Sequence, residues 1–315
     1  MNNKNNTINI LFLGGAKRVS IANHFKKTAS EMGYEVNIFS YELDEQVAIA
    51  SIGKVIIGKR WKDENLLSDL KSNIDKFNIN IVLAFVDPAI AVISKLKELC
   101  PNVFIPVSDI DLCNIMFDKV LSAKWFSEHS ISQPLYYLNP DDIKYPVILK
   151  PRLGSASRGI LVCRSKEELP DIDLNQYLIS EYISDHTEYS VDCYINRKGE
   201  VTSIVPRIRL ETSGGEAVRS KTVKDMSIIE ESKKILTSGH FRGPITIQYI
   251  KDNTNGNVYV MEINPRLGGA VVTSIGAGSG IIKMILNEYL GYSINPITDW
   301  RDNTVMVRYF NEVIF

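Results

Sequence analysis

The sequence predicts an α/β fold that passes into an α+β fold, and three observations carry that prediction. Over the first hundred residues, apolar strands alternate with amphipathic helical repeats, the pattern of a doubly wound, mostly parallel sheet. From about residue 145 onward, short strands follow one another with turn residues between them. Near the end, Pro244–Lys251 and Val258–Ile263 flank Asp252-Asn-Thr-Asn-Gly-Asn257, which reads as an antiparallel hairpin.

The first strand is Ile8–Leu13, closed by Gly14-Gly15. A helix comes next with Ile21, Phe25, Ala29 and Met32 on one stripe, and Gly33 ends it. Val36–Phe39 and Lys54–Ile57 are strands, and Leu66, Leu67, Leu70, Ile74 and Phe77 repeat at helical spacing. Ile81–Val86 reads as a strand buried on both faces, Pro88–Leu99 as a helix and Val103–Pro106 as a closing strand. The dinucleotide fingerprint GxGxxG is absent; the first turn reads Gly14-Gly-Ala-Lys-Arg18, which argues against a nicotinamide cofactor. Arg18 suits an anion, and equally a solvated helix start.

With 315 residues the chain is long enough for two or three domains. Its 44% hydrophobic and 23% charged residues fit a soluble globular protein. A net charge of −1 offers nothing to nucleic acid or an anionic membrane. No stretch reaches the roughly 20 apolar residues of a membrane span, and Met1–Thr7 has no apolar signal region, so a cytoplasmic protein is expected. The four cysteines lack CxxC spacing and read as buried thiols, and the four histidines are scattered.

The middle of the chain carries phosphate-friendly chemistry. Asp111–Glu128 reads as one helix bearing Asp118-Lys119. Tyr145–Pro151 is a strand whose apolar run ends in Lys150, and Gly154-Ser-Ala-Ser-Arg-Gly159 leads into the strand Ile160–Cys163. Glycines around small hydroxyl residues let backbone N–H groups approach phosphate, and equally make a plain hairpin turn. A Walker A loop is excluded, because Ile160-Leu161 stands where Lys-Ser/Thr must be and a strand comes after it. Tyr177–Ile183, Ser190–Ile195 and Val201–Val205 are further strands. Arg207 and Arg209 then alternate onto one strand face ahead of a mobile-looking Gly214-Gly215 loop, where two guanidiniums could grip a carboxylate or phosphate.

In the final hairpin, Glu262 and Asn264 are two residues apart and share a strand face. A carboxylate and an amide oxygen are hard ligands of the kind Mg²⁺ takes alongside phosphates, and they also suit a wet strand face. Pairing across the turn brings Gln248 opposite Met261, one position from Glu262; a bulge would make Gln248 and Glu262 direct neighbours. Pro265 should end the pairing, and Arg266 comes next.

Gln248 on one strand and Glu-x-Asn-Pro-Arg on the next resemble the metal and phosphate end of the ATP-grasp ligases. The opening Leu13–Ser20, Val86-Asp-Pro88 and the Arg207/Arg209 segment resemble the carbamoyl-phosphate-synthase-like members, here as a single unit. The resemblance runs from about Ile8 to Phe310. It implies a pre-ATP-grasp domain over 1–108, a linker helix and lid over 109–183, and an antiparallel catalytic domain over 184–315. It implies ATP with Mg²⁺ (or Mn²⁺), Glu262 bridging two ions with Gln248 and Asn264 completing their shells. Lys119, Lys150, Gly154, Ser155, Ser157 and Gly159 would hold phosphates; Glu181, Tyr182 and Ile183 would meet adenine, and Glu188 the ribose. Arg266, with Arg207 and Arg209, would serve the transferred phosphoryl and the substrate. The implied activity is an ADP-forming carboxylate–amine (or carboxylate–thiol) ligation through an acyl phosphate. Small-molecule carboxylates and amines would be its partners and a homodimer a common assembly. Carboxylation, phosphoryl transfer and a non-catalytic ATP-binding module remain the alternatives.

Overall fold

The computed structural model describes residues 6–154 and 158–315. The chain forms β1 (Thr7–Leu13), α1 (Val19–Glu31), β2 (Glu35–Glu42), β3 (Lys54–Ile57), α2 (Leu66–Lys76), β4 (Ile81–Ala84) and α3 (Pro88–Leu99). These strands make a parallel sheet in the order β3-β2-β1-β4. Strand β1 sits inside it and shows why both faces must be covered. Ile8, Ile10 and Phe12 enter one core with α1, while Leu11 and Leu13 enter another with α2 and α3. Each such buried side chain contributes about 1.5–3 kcal/mol of transfer free energy. The expected strand Val103–Pro106 shrinks to one parallel bridge, Ile81 to Phe104. Pro106 has no N–H to extend the ladder.

Next come α4 (Ile110–Phe117) and α5 (Lys119–Glu128), where one helix was expected. Asp118 breaks it: its backbone is extended, at φ −97° and ψ 112°, and its carboxylate accepts from the N–H groups of Val120 and Leu121 at 3.0 and 3.2 Å. An aspartate that caps the following turn cannot also continue the preceding one. A small antiparallel sheet is then built from β5 (Tyr136–Tyr137), β6 (Val147–Pro151), β7 (Leu161–Cys163) and β8 (Tyr177–Glu181), in the order β5-β8-β6-β7. Val147, Leu149, Cys163 and Ile179 form its separate, small core.

The rest is β9 (His186–Ile195), β10 (Val201–Ser213), β11 (Glu216–Thr222), α6 (Met226–Ser238), β12 (Gly243–Asp252), β13 (Val258–Asn264), α7 (Val272–Ala277), α8 (Ile281–Leu290) and β14 (Val305–Val307). Its antiparallel sheet has the order β13-β12-β9-β10-β11-β14. Alternation along β9 and β12 separates the faces. Val191, Cys193, Ile245 and Ile247 join α5 and α6 in one core, whereas Ser190, Asp192, Thr246 and Gln248 lie on the other face. Helix α8 returns to the first sheet and packs in the core of α1. The Gly214-Gly215 stretch, expected as a mobile loop, is a tight two-residue turn between paired Ser213 and Glu216. Its φ values of 56° and 79° match a hairpin turn that only glycine enters cheaply. All four cysteines are buried and free. No helix among the described residues is long and apolar enough to cross a membrane.

Candidate functional site

The site begins at the β12–β13 hairpin. Gln248 pairs directly with Glu262, and Tyr249 with Val260, so Met261 is the extra residue of a bulge. That bulge absorbs the one-position offset expected from the turn. Asn264 shares the face of Glu262, and its amide nitrogen donates to Glu262 Oε1 at 2.8 Å. Asn264 is buried and lies outside the wall of the main cavity, which Gln248 and Glu262 reach. Among the described residues no group of three or more His, Cys, Asp or Glu stands ready for a metal. The donor set here is one carboxylate with two amides, which fits a hard cation only when phosphate and water supply the remaining ligands.

Two lysines come from the other side of the cleft. Lys150 ends the apolar run of β6 and is only 9% exposed. Burial pulls its pKa down to about 8; Glu262 and Glu188 pull it back up, while nearby Lys119 lowers it further. Lys119 is the first residue of α5, and its Nζ donates to the Gly154 carbonyl at 2.8 Å. Arg152 Nε meets Asp118 Oδ2 at 2.5 Å, so the start of α5 is clamped to the glycine loop. Gly154 and Gly159 both have positive φ, 152° and 73°. The Ser155 and Ser157 of that loop lie outside the described residues.

Glu181, Tyr182, Ile183 and Glu188 line the same cavity, of about 540 Å³, as Lys119, Lys150, Gly154, Gln248, Glu262 and Arg266. Several of their polar groups are already engaged. Glu181 Oε1 accepts from the Leu135 N–H at 3.0 Å, and the Tyr182 N–H donates to the Pro146 carbonyl at 3.0 Å. Glu188 Oε2 accepts from Arg209 Nε at 2.9 Å. This part of the cavity wall is thus held by hydrogen bonds within the protein.

The arginines are likewise paired rather than free. Arg207 is 2% exposed, and its Nε donates to Asp192 Oδ2 at 2.8 Å; it faces a small side chamber instead of the main cavity. Asp192 also accepts from Ser274 Oγ at 2.6 Å. Arg209 reaches Glu188 and the Gly215 carbonyl, and it lines the same small chamber as Arg207. Arg266 Nε donates to Asp87 Oδ1 at 2.6 Å, joining the hairpin to the first sheet. Arg18 grips Glu216 through both Nη atoms, at 2.6 and 3.1 Å, and Arg308 adds a third contact at 3.3 Å. These arginines, outweighing the effect of burial, hold the Glu216 pKa down to about 2.

Asp192 and Glu216 are absent from the residues the sequence singles out. For Asp192 the turn was not enough: Val205 opposes Asp192 and Arg207 opposes Ser190 only after a register shift between Val201 and Ser203, which the Asn196–Gly199 turn does not announce. That register makes Asp192 and Arg207 near neighbours on one face. The partner of Glu216 is 198 residues away in sequence, which no local pattern reveals.

A family profile described as "ATP-grasp in the biosynthetic pathway with Ter operon" matches residues 173–313. A 5-formaminoimidazole-4-carboxamide-1-(beta)-D-ribofuranosyl 5'-monophosphate synthetase of Pyrococcus horikoshii is 30% identical over 89 residues, 23% of this chain and 27% of that protein. The 2-oxoglutarate carboxylase small subunit of Hydrogenobacter thermophilus is 28% identical over 190 residues, 50% of this chain and 38% of that one. The carbamoyl phosphate synthase large chain of Archaeoglobus fulgidus is 24% identical over 188 residues, 54% of this chain and 17% of that one. The chain thus spans well under half the length of these relatives. In fold, biotin carboxylase from Campylobacter jejuni superposes with a TM-score of 0.75 at 18% identity, covering 94% of this chain and 74% of that one. Residues 173–313 thus resemble the ATP-grasp family, and nearly the whole chain shares the fold of biotin carboxylase.

Proposed function

We propose that the protein is an ATP-dependent, ADP-forming ligase that activates a carboxylate as an acyl phosphate and passes it to an amine or a thiol. One observation carries this reading. Lys150 and Lys119 from one wall and Gln248, Glu262 and Arg266 from the other converge on a single cavity. That is a cationic and hydrogen-bonding surround for a triphosphate, facing one carboxylate suited to hold a cation.

Lys119, Lys150 and the glycine loop would bind the phosphates, with the segment 181–183 beside the base. Gln248, Glu262 and Asn264 would hold Mg²⁺ or Mn²⁺, which when bound neutralises charge on the β- and γ-phosphates. Arg266 would stabilise the charge spread over the transferred phosphoryl oxygens. A substrate carboxylate oxygen attacks the γ-phosphorus, and the bond to the ADP oxygen breaks. The amine then attacks the acyl carbon, phosphate leaves, and the nitrogen gives up a proton. No protein nucleophile takes part in either step. The lid sheet that carries Lys150 would exclude water from the acyl phosphate.

A carboxylation reading draws on the likeness to a 2-oxoglutarate carboxylase small subunit. In that case bicarbonate would be the activated acid. The separating experiment measures ADP release from Mg-ATP with bicarbonate alone, with pooled carboxylates and amines, and with both. Amine-dependent release that ignores bicarbonate supports ligation; bicarbonate-dependent release without added carboxylate overturns it. AMP and pyrophosphate as products would overturn the acyl-phosphate route in either form.

A further inference from the structure

A second chamber of about 70 Å³ shares Gln248, Arg266 and Glu216 with the main cavity and is also walled by Arg18, Arg207, Ser190, Thr246 and Gly268-Gly269. Its polar groups are not all satisfied. Arg207 is 2% exposed and Arg18 is 7% exposed, yet Nη1 of Arg207 and Nε of Arg18 have no hydrogen-bond partner among the described residues. A buried guanidinium N–H left unpaired is costly, and an acceptor brought against it would remove that cost.

The charges point the same way. Arg207, Arg209 and Arg266 each have a carboxylate to themselves, in Asp192, Glu188 and Asp87. Arg18 and Arg308 share Glu216. One guanidinium charge in this cluster is therefore uncompensated, which favours an anion over a neutral acceptor. The chamber is shaped by side-chain-free backbone at its wall. A Cβ on Gly268 would come within 2.9 Å of both Asp192 Oδ1 and Thr246 Oγ1, and one on Gly269 within 2.8 Å of the Glu216 carboxyl carbon.

Position decides which group enters. The reacting carboxylate has to stand beside the phosphoryl end, marked by Lys150, Glu262 and Arg266. The chamber's wall includes Arg266 and Gln248 but neither Lys150 nor Glu262. A chamber set off from Lys150 and Glu262 suits the far end of the acid rather than its reacting carboxylate.

We propose that this chamber receives a second carboxylate of the acid substrate, so that the protein activates a short dicarboxylate, with Arg207 and Arg18 as its specificity-determining residues. This rests on the ligase reading above. The volume admits a carboxylate head and little more.

The test uses the full chain with Mg-ATP, a pooled amine mixture and one acid at a time: malonate, succinate, acetate or bicarbonate. The expected result is ADP release with a KM for malonate or succinate at least about tenfold below that for acetate. Arg207→Lys keeps the charge and removes the fork, and should raise the dicarboxylate KM by about tenfold more than the acetate KM. Acetate or bicarbonate acting as well as the dicarboxylates, or Arg207→Lys raising every KM alike, would overturn the proposal. Wild-type thermal unfolding gives a reading that needs no variant. Malonate or succinate should raise Tm where acetate at equal ionic strength does not, and equal shifts would overturn the subsite. A dicarboxylate-specific Tm shift without ADP release from any acid would leave the subsite standing and sink the ligase reading alone.

Discussion

Arg266, just past the end of β13, is ion-paired with Asp87, the residue that opens α3 beside the parallel sheet. Both side chains are largely buried, at 13% exposure each. Arg266, which would meet the transferred phosphoryl in the proposed ligase, is thus held by a carboxylate 179 residues away in sequence. The first sheet is in this way part of the site and not only its neighbour.

That pairing predicts the effect of Asp87→Asn. The change keeps shape but leaves Arg266 without its countercharge in a largely dry setting. Stability should fall by about 1–3 kcal/mol. Turnover should fall by about tenfold or more, because a misdirected guanidinium no longer meets developing charge. Urea unfolding and ADP release measure the two effects. Full activity in a less stable variant would show that Asp87 braces the fold and does not aim Arg266.

Lys150 sets a pH dependence. Burial lowers its pKa to about 8 in the folded protein, from 10.5 when free. Between those two values the unfolded chain binds the extra proton, so this group's contribution to stability rises as pH climbs from about 8 to 10.5. Function runs the other way, since the neutral amine holds phosphate poorly. The KM for ATP should rise above about pH 8 in the wild type. Arg at this position cannot lose its proton, so Lys150→Arg should flatten that rise even if its overall rate drops. An identical profile in both would remove Lys150 from phosphate binding.

Glu216 acts at the acid end. Its folded pKa, about 2, lies below the free value of 4.5, so its ionic pairing stabilises the fold fully above about pH 4.5. That contribution is lost as pH falls from 4.5 toward 2. Unfolding midpoints tracked over this window should drop more steeply for the wild type than for Glu216→Gln. Parallel slopes would show that Arg18 and Arg308 do not depend on the Glu216 charge.

Asp192 should be the costliest of these acids to neutralise. It accepts from Arg207 and Ser274 with almost no exposure. Asp192→Asn leaves a buried guanidinium uncompensated, and a loss of about 3–5 kcal/mol is expected. Chemical denaturation checks it, and a loss under about 1 kcal/mol would mean that water reaches Arg207.

These pairings mark the limit of what the sequence discloses. Alternating strands and helices are local, so the parallel sheet from β1 to β4 is legible in them. So is the β12–β13 hairpin, whose turn residues place Gln248 within one position of Glu262. The final step depends on Met261 being bulged out, which arises from packing and not from any turn signal. Asp118 illustrates a conflict of local signals. Its apolar neighbours on both sides keep a helical period, while its own carboxylate caps a new helix and wins. Arg207 and Arg209 share a strand face as the alternation requires, and the adjacent strand gives each its own carboxylate, Asp192 and Glu188. Charge partners distant in sequence, such as Asp87 for Arg266 and Arg18 for Glu216, have no local signature at all.

Glu262 is where the ligase reading is most exposed to test. ADP and phosphate release from Mg-ATP, driven by a pooled set of carboxylates and amines, is compared between the wild type and Glu262→Gln. Substrate-dependent release should fall by about a hundredfold or more in the variant, while nucleotide still binds. Undiminished release by Glu262→Gln would contradict the ligase reading, because the carboxylate opposite Gln248 would then have no part in the chemistry.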